Sequence, residues 1–127
     1  MNTLESLNTH FFNVYYLDSQ TLAVALTVRS LEASNGQAVK AHIVQLLEVN
    51  DLKNVIIDIA QIKSLDSFGL ASIISIYKHC AKQGGNIALV QPTSAVLQLF
   101  EVTRISKMIN LFDTPQEAND FFLIEMP

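Results

Sequence analysis

A strand, a loop and the start of a helix follow one another in residues 54–70, NVIIDIAQIKSLDSFGL. Residues 54–59 are a short run of β-branched and other apolar side chains, a pattern typical of a strand buried on both faces. Asp66 can cap a helix, and the helical pattern that follows covers residues 67–83 before a glycine pair ends it. A strand that leads into a helix is the repeating unit of parallel sheets, so this stretch predicts an α/β fold.

The predicted helix over residues 67–83 has one apolar stripe that we expect to be buried. The stripe residues recur at helical spacing and are Leu70, Ile73, Ile74, Tyr77, Cys80 and Ala81. The residues expected outside the stripe are Ser72, Ser75, Lys78, His79 and Lys82. Phe68 lies opposite the stripe, on the wet side of the helix. An aromatic side chain there is either an interface anchor or a group covered by a loop.

Segments on both sides of this central stretch continue an alternation of strands and helices. Further strands are predicted over residues 11–16, 21–28 and 86–90, the first two joined by a turn. Further helices are predicted over 37–49, with capping residues at 34–36, from 92–94 to about 102, and after 114–115, following a short extended piece at 108–112. The order ββαβαβαβα predicts one domain over residues 1–127, with a mixed but mainly parallel central sheet and helices packed on it.

Composition places the chain among globular proteins of a reducing compartment. Half of the residues are hydrophobic and 16% are charged, which is not a disordered composition. One cysteine, Cys80, excludes an internal disulfide framework. The N-terminus lacks the basic and apolar regions of a signal peptide, and no apolar run approaches the roughly 20 residues of a membrane helix. We therefore expect a cytoplasmic protein without a membrane span.

The charge of the chain argues against nucleic acid as a direct partner. The formal net charge is −4, with 12 acidic and 8 basic residues. Lysine and arginine are scattered, and no cluster of them is dense enough to follow a phosphate backbone. A mildly acidic protein is instead steered weakly toward basic protein surfaces.

Ser67 is the candidate for chemistry at the predicted helix start. With Asp66 as the cap, Ser67 lies in the first turn beside backbone N–H groups that we expect to be unpaired. The positive end of the helix dipole favours a phosphate on Ser67, whereas the adjacent Asp66 opposes it. Gly69, in the same turn, indicates a close backbone approach by a neighbour or a partner. The structural alternative is that Asp-Ser is an ordinary helix start without further function.

The same residues resemble a known family. Asp66-Ser67-Phe68-Gly69-Leu70 resembles the Asp-Ser-Ser/Thr-Gly-Leu segment of STAS domains, which occur in anti-sigma factor antagonists and related partner-switching proteins. Further segments resemble the family, in the family's order, over residues 82–90, 99–105 and 112–118. The resemblance therefore extends over nearly the whole chain and implies a STAS-like fold.

The resemblance also implies roles for residues of this chain. In the family, a serine kinase that is also the anti-sigma factor phosphorylates the serine after the aspartate, which by position is Ser67. The unphosphorylated form binds the kinase, and a PP2C-type phosphatase resets the cycle. The partner-binding surface implied in this way contains Asp66, Gly69, Thr93 and Ser94, to which we add Phe68, Leu70 and Glu32.

Three positions depart from the family pattern. Phe68 replaces the second Ser or Thr of the motif, which removes a hydroxyl and adds apolar surface. Glu32 is the candidate replacement for an Asp that relatives often have after the second strand, although the spacing is one residue longer. Arg104 stands where relatives commonly have a helix-ending Gly, and we expect it to change that turn. These departures bear on the partner more than on the fold.

Enzymatic and metal-binding functions have weaker signals. His10, His42 and His79 lack metal-ligand spacing, and the chain has no glycine-rich phosphate motif, so neither a metal nor a cofactor is predicted. No general base is identifiable near Ser67, and no catalytic role is predicted. Asp58 is interpreted as a structural residue and not as the phosphate acceptor of a receiver domain.

Two functions from different classes remain. The first is a regulatory binding module switched at Ser67 by a kinase and a phosphatase. The second is a permanent STAS subunit of a lipid- or anion-transport assembly, without phosphorylation. The presence of Ser67 and the free-standing length favour the first. The exposed Phe68 and the edge of the N-terminal hairpin could each support a weak homodimer.

Overall fold

The computed structural model describes residues 4–125, and the side chains of residues 4–122. Besides 3-10 turns at Glu5–Leu7 and Ile105–Lys107, the described chain forms strands and α-helices. The strands are β1 (Phe12–Leu17), β2 (Thr21–Leu26), β3 (Ser30–Leu31), β4 (Asn54–Asp58), β5 (Ser64–Leu65), β6 (Ile87–Val90) and β7 (Asn110–Phe112). The helices are α1 (Gly36–Val49), α2 (Ser67–Lys82), α3 (Ser94–Val102) and α4 (Pro115–Glu125).

Five of the strands form the central sheet, in the order β1-β2-β4-β6-β7. β1 is antiparallel to β2, and the remaining neighbours are parallel. The parallel neighbours are connected through helices, as the alternation of strand and helix segments requires. The structure confirms the predicted α/β fold with a mixed, mainly parallel sheet. Within residues 4–125, no helix has the length and apolar character needed to cross a membrane.

Helices cover both faces of this sheet because β4 buries successive side chains on opposite faces. Val55 and Ile57 belong to the larger core, together with residues of α1, α2 and α3. Ile56 belongs to a smaller core, in which Ala118 and Phe122 of α4 are buried. The three helices α1–α3 therefore pack on one face of the sheet and α4 on the other. This arrangement explains why the strand is apolar at successive positions.

A short parallel pairing of β3 with β5 connects the loop after β2 to the loop after β4. The sequence predicted one strand over residues 21–28, whereas β2 ends at Leu26 and the chain turns into β3. A strand of two residues leaves no periodicity from which to predict it. The pairing brings Leu31 against the start of α2, and so it positions the candidate site.

The buried surface of α2 differs from the predicted stripe, and it includes Ile76, which the stripe left out. Ser72 is buried and Ala81 is exposed, so both predictions are wrong. Helix α2 contacts α1 as well as the sheet, which widens its buried surface toward Gly36 of α1. Ser72 is tolerated there because its hydroxyl donates to the carbonyl of Phe68 at 3.0 Å.

The turn after α3 keeps a left-handed residue although Arg104 is not a glycine. Arg104 has φ 63° and ψ 15°, the conformation in which a glycine usually ends a helix. The expectation that Arg104 changes this turn is therefore wrong. A residue with a Cβ atom is strained there by roughly 1–2 kcal/mol.

Candidate functional site

The candidate site lies at the edge of the sheet where the parallel strands β2, β4 and β6 end. Parallel strands present their carboxyl ends at one edge, where open α/β sheets usually place their sites. Glu32, Asp66 and Thr93 lie in the loops that follow these strands. The remaining predicted site residues belong to the first turns of α2 and α3.

Asp66 joins two of these loops. Its Oδ1 atom accepts the backbone N–H groups of Phe68 and Gly69, both at 2.9 Å, and so caps α2 as predicted. Its Oδ2 atom accepts the N–H group of Ala33 at 3.2 Å. Its own backbone N–H donates to the carbonyl of Leu31, also at 3.2 Å. Asp66 therefore holds the loop before α1 against the start of α2.

Ser67 is the first residue of α2, and it is exposed. The N–H groups of Phe68 and Gly69, which we expected to be unpaired beside Ser67, are bonded to Asp66. That expectation is corrected, because the cap uses the donors that a phosphate would need. A phosphate on Ser67 would gain them only by displacing the carboxylate of Asp66. Otherwise its charge would stay at the solvent-facing surface.

Gly69 and Leu70 hold the first turn of α2 in place. A Cβ atom on Gly69 would collide with the backbone carbonyl of Leu31. The close approach that the sequence indicated is thus made by a neighbour in the same chain. Gly69 is buried, and Leu70 is partly buried and packs against the larger core. Both residues therefore fix the position of Ser67 and Phe68 from the core side of the helix.

Phe68 extends into solvent beside Ser67, with 63% of its surface exposed. It is therefore not covered by a loop of the described chain. Phe68 borders a shallow groove of about 130 Å³ between α1 and α2. The other residues along the groove have small or polar side chains and are Ala33, Gln37, Ala71, Ser72 and Ser75. An apolar side chain of a partner can enter this groove against the Phe68 ring.

Glu32 lies on the loop that Asp66 holds, and its exposed carboxylate accepts the hydroxyl of Ser34 at 3.0 Å. Asn35 shapes this loop, because its Oδ1 atom accepts the N–H of Glu32 and its Nδ2 atom donates to the Ser30 carbonyl, both at 2.9 Å. We predicted Asn35 only as a capping residue, but its side chain makes no capping bond to α1. No pattern in the sequence indicates the bonds it makes instead.

Thr93 attaches a third loop to the same surface. Its Oγ1 atom accepts the N–H of Val96 at 3.4 Å and so caps α3, which starts where the sequence predicted a helix. The same hydroxyl donates to the carbonyl of Ile62 at 3.4 Å, in the loop that leads to Asp66. Ser94 is exposed at the first position of α3. Hydrogen bonds therefore connect all three loops around the start of α2.

The described residues offer neither a metal-binding cluster nor a reactive thiol. Within the part of the chain that the structure describes, no cluster of three His, Cys, Asp or Glu side chains could hold a metal ion. Cys80 is buried in the larger core, as predicted, and burial raises the pKa of its thiol to about 12. Such a thiol is inert at neutral pH. The site itself presents a hydroxyl, carboxylates and an aromatic ring.

Known proteins share both the sequence pattern and the fold. The family model described as the STAS domain matches residues 13–118. A protein of Thermotoga maritima, provisionally named an anti-sigma factor antagonist, is 24% identical over 97 residues, which cover 76% of this chain and 86% of that protein. A crystal structure from the same organism, with the same provisional name, has a TM-score of 0.73 at 25% identity and covers 87% of this chain and 93% of that one.

Two further proteins share the fold at lower identity. The anti-sigma factor antagonist SpoIIAA in its unphosphorylated form has a TM-score of 0.65 at 13% identity, covering 91% of this chain and 99% of that one. The phosphorylated form, from Bacillus, has the same TM-score of 0.65. The murine anion transporter Slc26a9 matches with a TM-score of 0.67 at 17% identity, covering 84% of this chain but 18% of the transporter. At these identities the likeness shows the fold alone.

Proposed function

This chain belongs to the STAS domain family, and we propose that it is a phosphorylation-switched regulator of the anti-sigma factor antagonist type. In this cycle the unphosphorylated protein binds a serine kinase that acts as an anti-sigma-type factor. Phosphorylation of Ser67 weakens that binding, and a PP2C-type phosphatase restores it. The protein acts as a binding module in the cytoplasm and not as an enzyme.

The position of Ser67 is the observation that carries this proposal. Its hydroxyl is exposed on the first turn of α2, at a surface to which three loops are bonded. A kinase can reach such a hydroxyl without unfolding the helix. The exposed ring of Phe68 lies next to it, so a partner bound to that ring has to cover Ser67 as well.

The switch that we propose acts through surface charge. A phosphate adds about −1.5 to −2 charges at neutral pH, directly beside Asp66. Because Asp66 already occupies the nearby N–H groups, the added charge opposes an interface that closes over it. The fold need not change, since both the unphosphorylated and the phosphorylated form of SpoIIAA share the fold of this chain.

Phe68 and its groove form the centre of the proposed partner surface, and polar groups form its rim. Interfaces commonly place an aromatic anchor at the centre and solvated polar groups around it. Here the rim residues are Glu32, Asp66, Thr93 and Ser94, while Gly69 and Leu70 support the centre. The Phe that replaces a Ser or Thr of the family motif thus adapts the surface to a partner with an apolar side chain.

Mass spectrometry of the protein from its native host is the first test. We expect a single phosphate on the peptide that contains Ser67, removed by phosphatase treatment. The partner is captured with the Ser67→Ala variant, which cannot be phosphorylated and keeps the binding form.

Binding of the captured kinase then tests the switch. We expect Ser67→Asp to weaken binding by about tenfold or more, because the interface has to cover a second negative charge beside Asp66, which repulsion and desolvation oppose. Ser19→Asp adds the same charge in the β1–β2 turn, at the opposite edge of the sheet, and is the matched control. Equal affinity of the Ser67→Ala and Ser67→Asp variants would rule out the switch.

The alternative function is a permanent subunit of a lipid- or anion-transport assembly. The fold shared with a domain of the Slc26a9 anion transporter supports it. The same mass spectrum separates the two functions, because a permanent subunit would leave Ser67 unmodified under all growth conditions. Transporter components would then be sought among proteins that copurify with the unmodified chain.

A further inference from the structure

A β-bulge places two successive tyrosines on the same face of the sheet. Val14 pairs with Val24, and the next pair is Tyr16 with Ala23, so Tyr15 has no partner in the ladder. Without the bulge, Tyr16 would point into the larger core; with it, both rings lie on the face that carries α4. Tyr15 and Tyr16 are 40% and 42% exposed. Bulges of this kind often serve to aim a side chain.

The two tyrosines border an open pocket of about 240 Å³ on the α4 side of the sheet. Ala23 and Ile56 line it from the sheet, and Gln116 and Asn119 line it from α4. The pocket exists because α4 packs on β4, β6 and β7, whereas the hairpin side of this face is left uncovered. Its volume is below the roughly 300–1,000 Å³ of typical small-molecule sites. One side chain therefore fits it better than a cofactor.

The surroundings of the pocket are acidic. The hydroxyl of Tyr16 donates to the carboxylate of Asp18 at 2.6 Å. Asp58 lies on the same face of the sheet, and its charge adds to burial in raising the pKa of Tyr15. None of the eight Lys and Arg residues of the chain lies in the central sheet or in α4. No carboxylate lines the pocket itself, but a positive group entering it is attracted by Asp18 and Asp58 nearby and is opposed by no basic residue of these elements.

The positive end of α4, which would oppose a cation, is largely occupied. Pro115 has no N–H group, and the N–H of Glu117 donates to the hydroxyl of Thr114 at 3.2 Å. The next N–H group, that of Ala118, donates to the Thr114 carbonyl at 3.4 Å. Gln116 and Asn119 line the pocket, and each side chain carries a carbonyl that can accept a hydrogen bond, while the Gln116 amide nitrogen donates to Oδ1 of Asp120 at 2.8 Å.

We propose that this pocket receives an arginine side chain of a partner protein, which makes it a second docking surface on the face of the sheet opposite α2. A planar guanidinium stacks on tyrosine rings and donates in several directions at once, so it can engage both rings and the amide carbonyls. A lysine ammonium makes fewer of these contacts from one position. The surface is independent of Ser67, because α2 lies on the other side of the sheet.

The test is a titration with the blocked peptide acetyl-Ala-Arg-Ala-amide, followed by NMR of the backbone amides. We expect saturable shifts at Ala23, Gln116 and Asn119 at millimolar peptide. The matched peptide with citrulline keeps the shape but not the charge, and we expect it to bind about five to ten times more weakly. Tyr15→Ala should abolish the shifts, Tyr15→Phe should keep them, and Ser67→Asp should leave them unchanged.

Three results would overturn the proposal. The first is the absence of saturable shifts with the arginine peptide. The second is equal binding of the citrulline peptide, or of a matched peptide that carries norleucine, which would assign the pocket to a neutral side chain. The third is that the saturable shifts persist in both the Tyr15→Ala and the Tyr16→Ala variants. Two variants are used because one of them could fail to fold. Since Ser67→Asp is included, failure here is separate from failure of the phosphorylation switch.

Discussion

Asp66 and Gly69 position Ser67. Some of their contacts could be predicted from the sequence, and others could not. The cap by Asp66 follows from an aspartate placed before a helical pattern, since the donors and acceptor are close along the chain. Its bond to Ala33 joins residues that are 33 positions apart. The position of Gly69 likewise indicated a close neighbour, but only the fold identifies that neighbour as Leu31. A residue type states a local requirement, whereas the partner depends on tertiary structure.

The pKa of Tyr15 is a single-residue measure of the electrostatics on the face of the sheet that carries α4. Burial, with a smaller effect of the Asp58 charge, raises its pKa from 10.0 to about 12. The folded state therefore holds this proton more tightly than the unfolded state, and its contribution to stability is complete below pH 10 and lost as the pH rises through 12. We expect Asp58→Asn to lower the pKa of Tyr15 while leaving it above 10, as measured by NMR titration of the ring.

Tyr16 is the internal control for that titration. The hydrogen bond to Asp18 is the main cause that raises the pKa of Tyr16, so Asp58→Asn should leave it unchanged. The variant keeps the Oδ1 acceptor that the N–H of Ala60 uses at 2.9 Å, so the local turn is preserved. If the pKa of Tyr15 is unchanged in the Asp58→Asn variant, burial alone raises it.

At the scale of elements, long periodic segments could be predicted and short tertiary ones could not. The helices and the four longer strands are marked by periodicity, caps and glycine stops, and they lie within a few residues of their predicted bounds. β3 and β5 exist because they pair with each other, so neither has a signal of its own. The bulge at Tyr15 is set by the register against β2, which one strand cannot indicate. The sequence therefore indicated individual residues of the loops at the candidate site, but not the hydrogen bonds and the strand pairing that join these loops.

The turn after α3 offers a prediction about the stability of an element boundary. Arg104→Gly removes the strain of a left-handed residue that carries a Cβ atom, although glycine makes the unfolded chain more flexible. We expect a net gain of about 0.5–1 kcal/mol in the free energy of unfolding, measured by urea denaturation.

Gly84 is the reciprocal control for that substitution. It follows α2 with φ +76° and has open space around it, so Gly84→Ala introduces strain without a collision. We expect this variant to lose about 1 kcal/mol. If Arg104→Gly instead destabilised the protein, contacts of the arginine side chain would outweigh the backbone strain.

At the scale of the whole molecule, the sheet separates two unequal layers, and each carries one of the two proposed surfaces. The larger core joins α1, α2 and α3 to one face and supports the surface around Ser67. In the smaller core, the buried side chains of α4 that the structure describes are Ala118 and Phe122, beside the Tyr15–Tyr16 pocket. The alternation of strands and helices predicted helices on the sheet, but not how they divide between the faces, because that depends on the crossovers. The division keeps the two proposed surfaces apart, so each can be altered without the other.

This division predicts that α4 opens independently of the rest of the fold. Among the side chains of α4 that the structure describes, Ala118 and Phe122 are the buried ones. We expect the amides of α4 to exchange hydrogen through a local opening with a lower free energy than global unfolding. Phe122→Ala should make that opening easier by about 3 kcal/mol. Phe100→Ala, in the larger core, should lower the protection of β4 and β6 by a similar amount but leave the opening of α4 unchanged, because it destabilises the closed and open forms equally. Native-state hydrogen exchange measures both effects, and a parallel loss of protection in α4 and β4 with Phe100→Ala would instead show one cooperative unit.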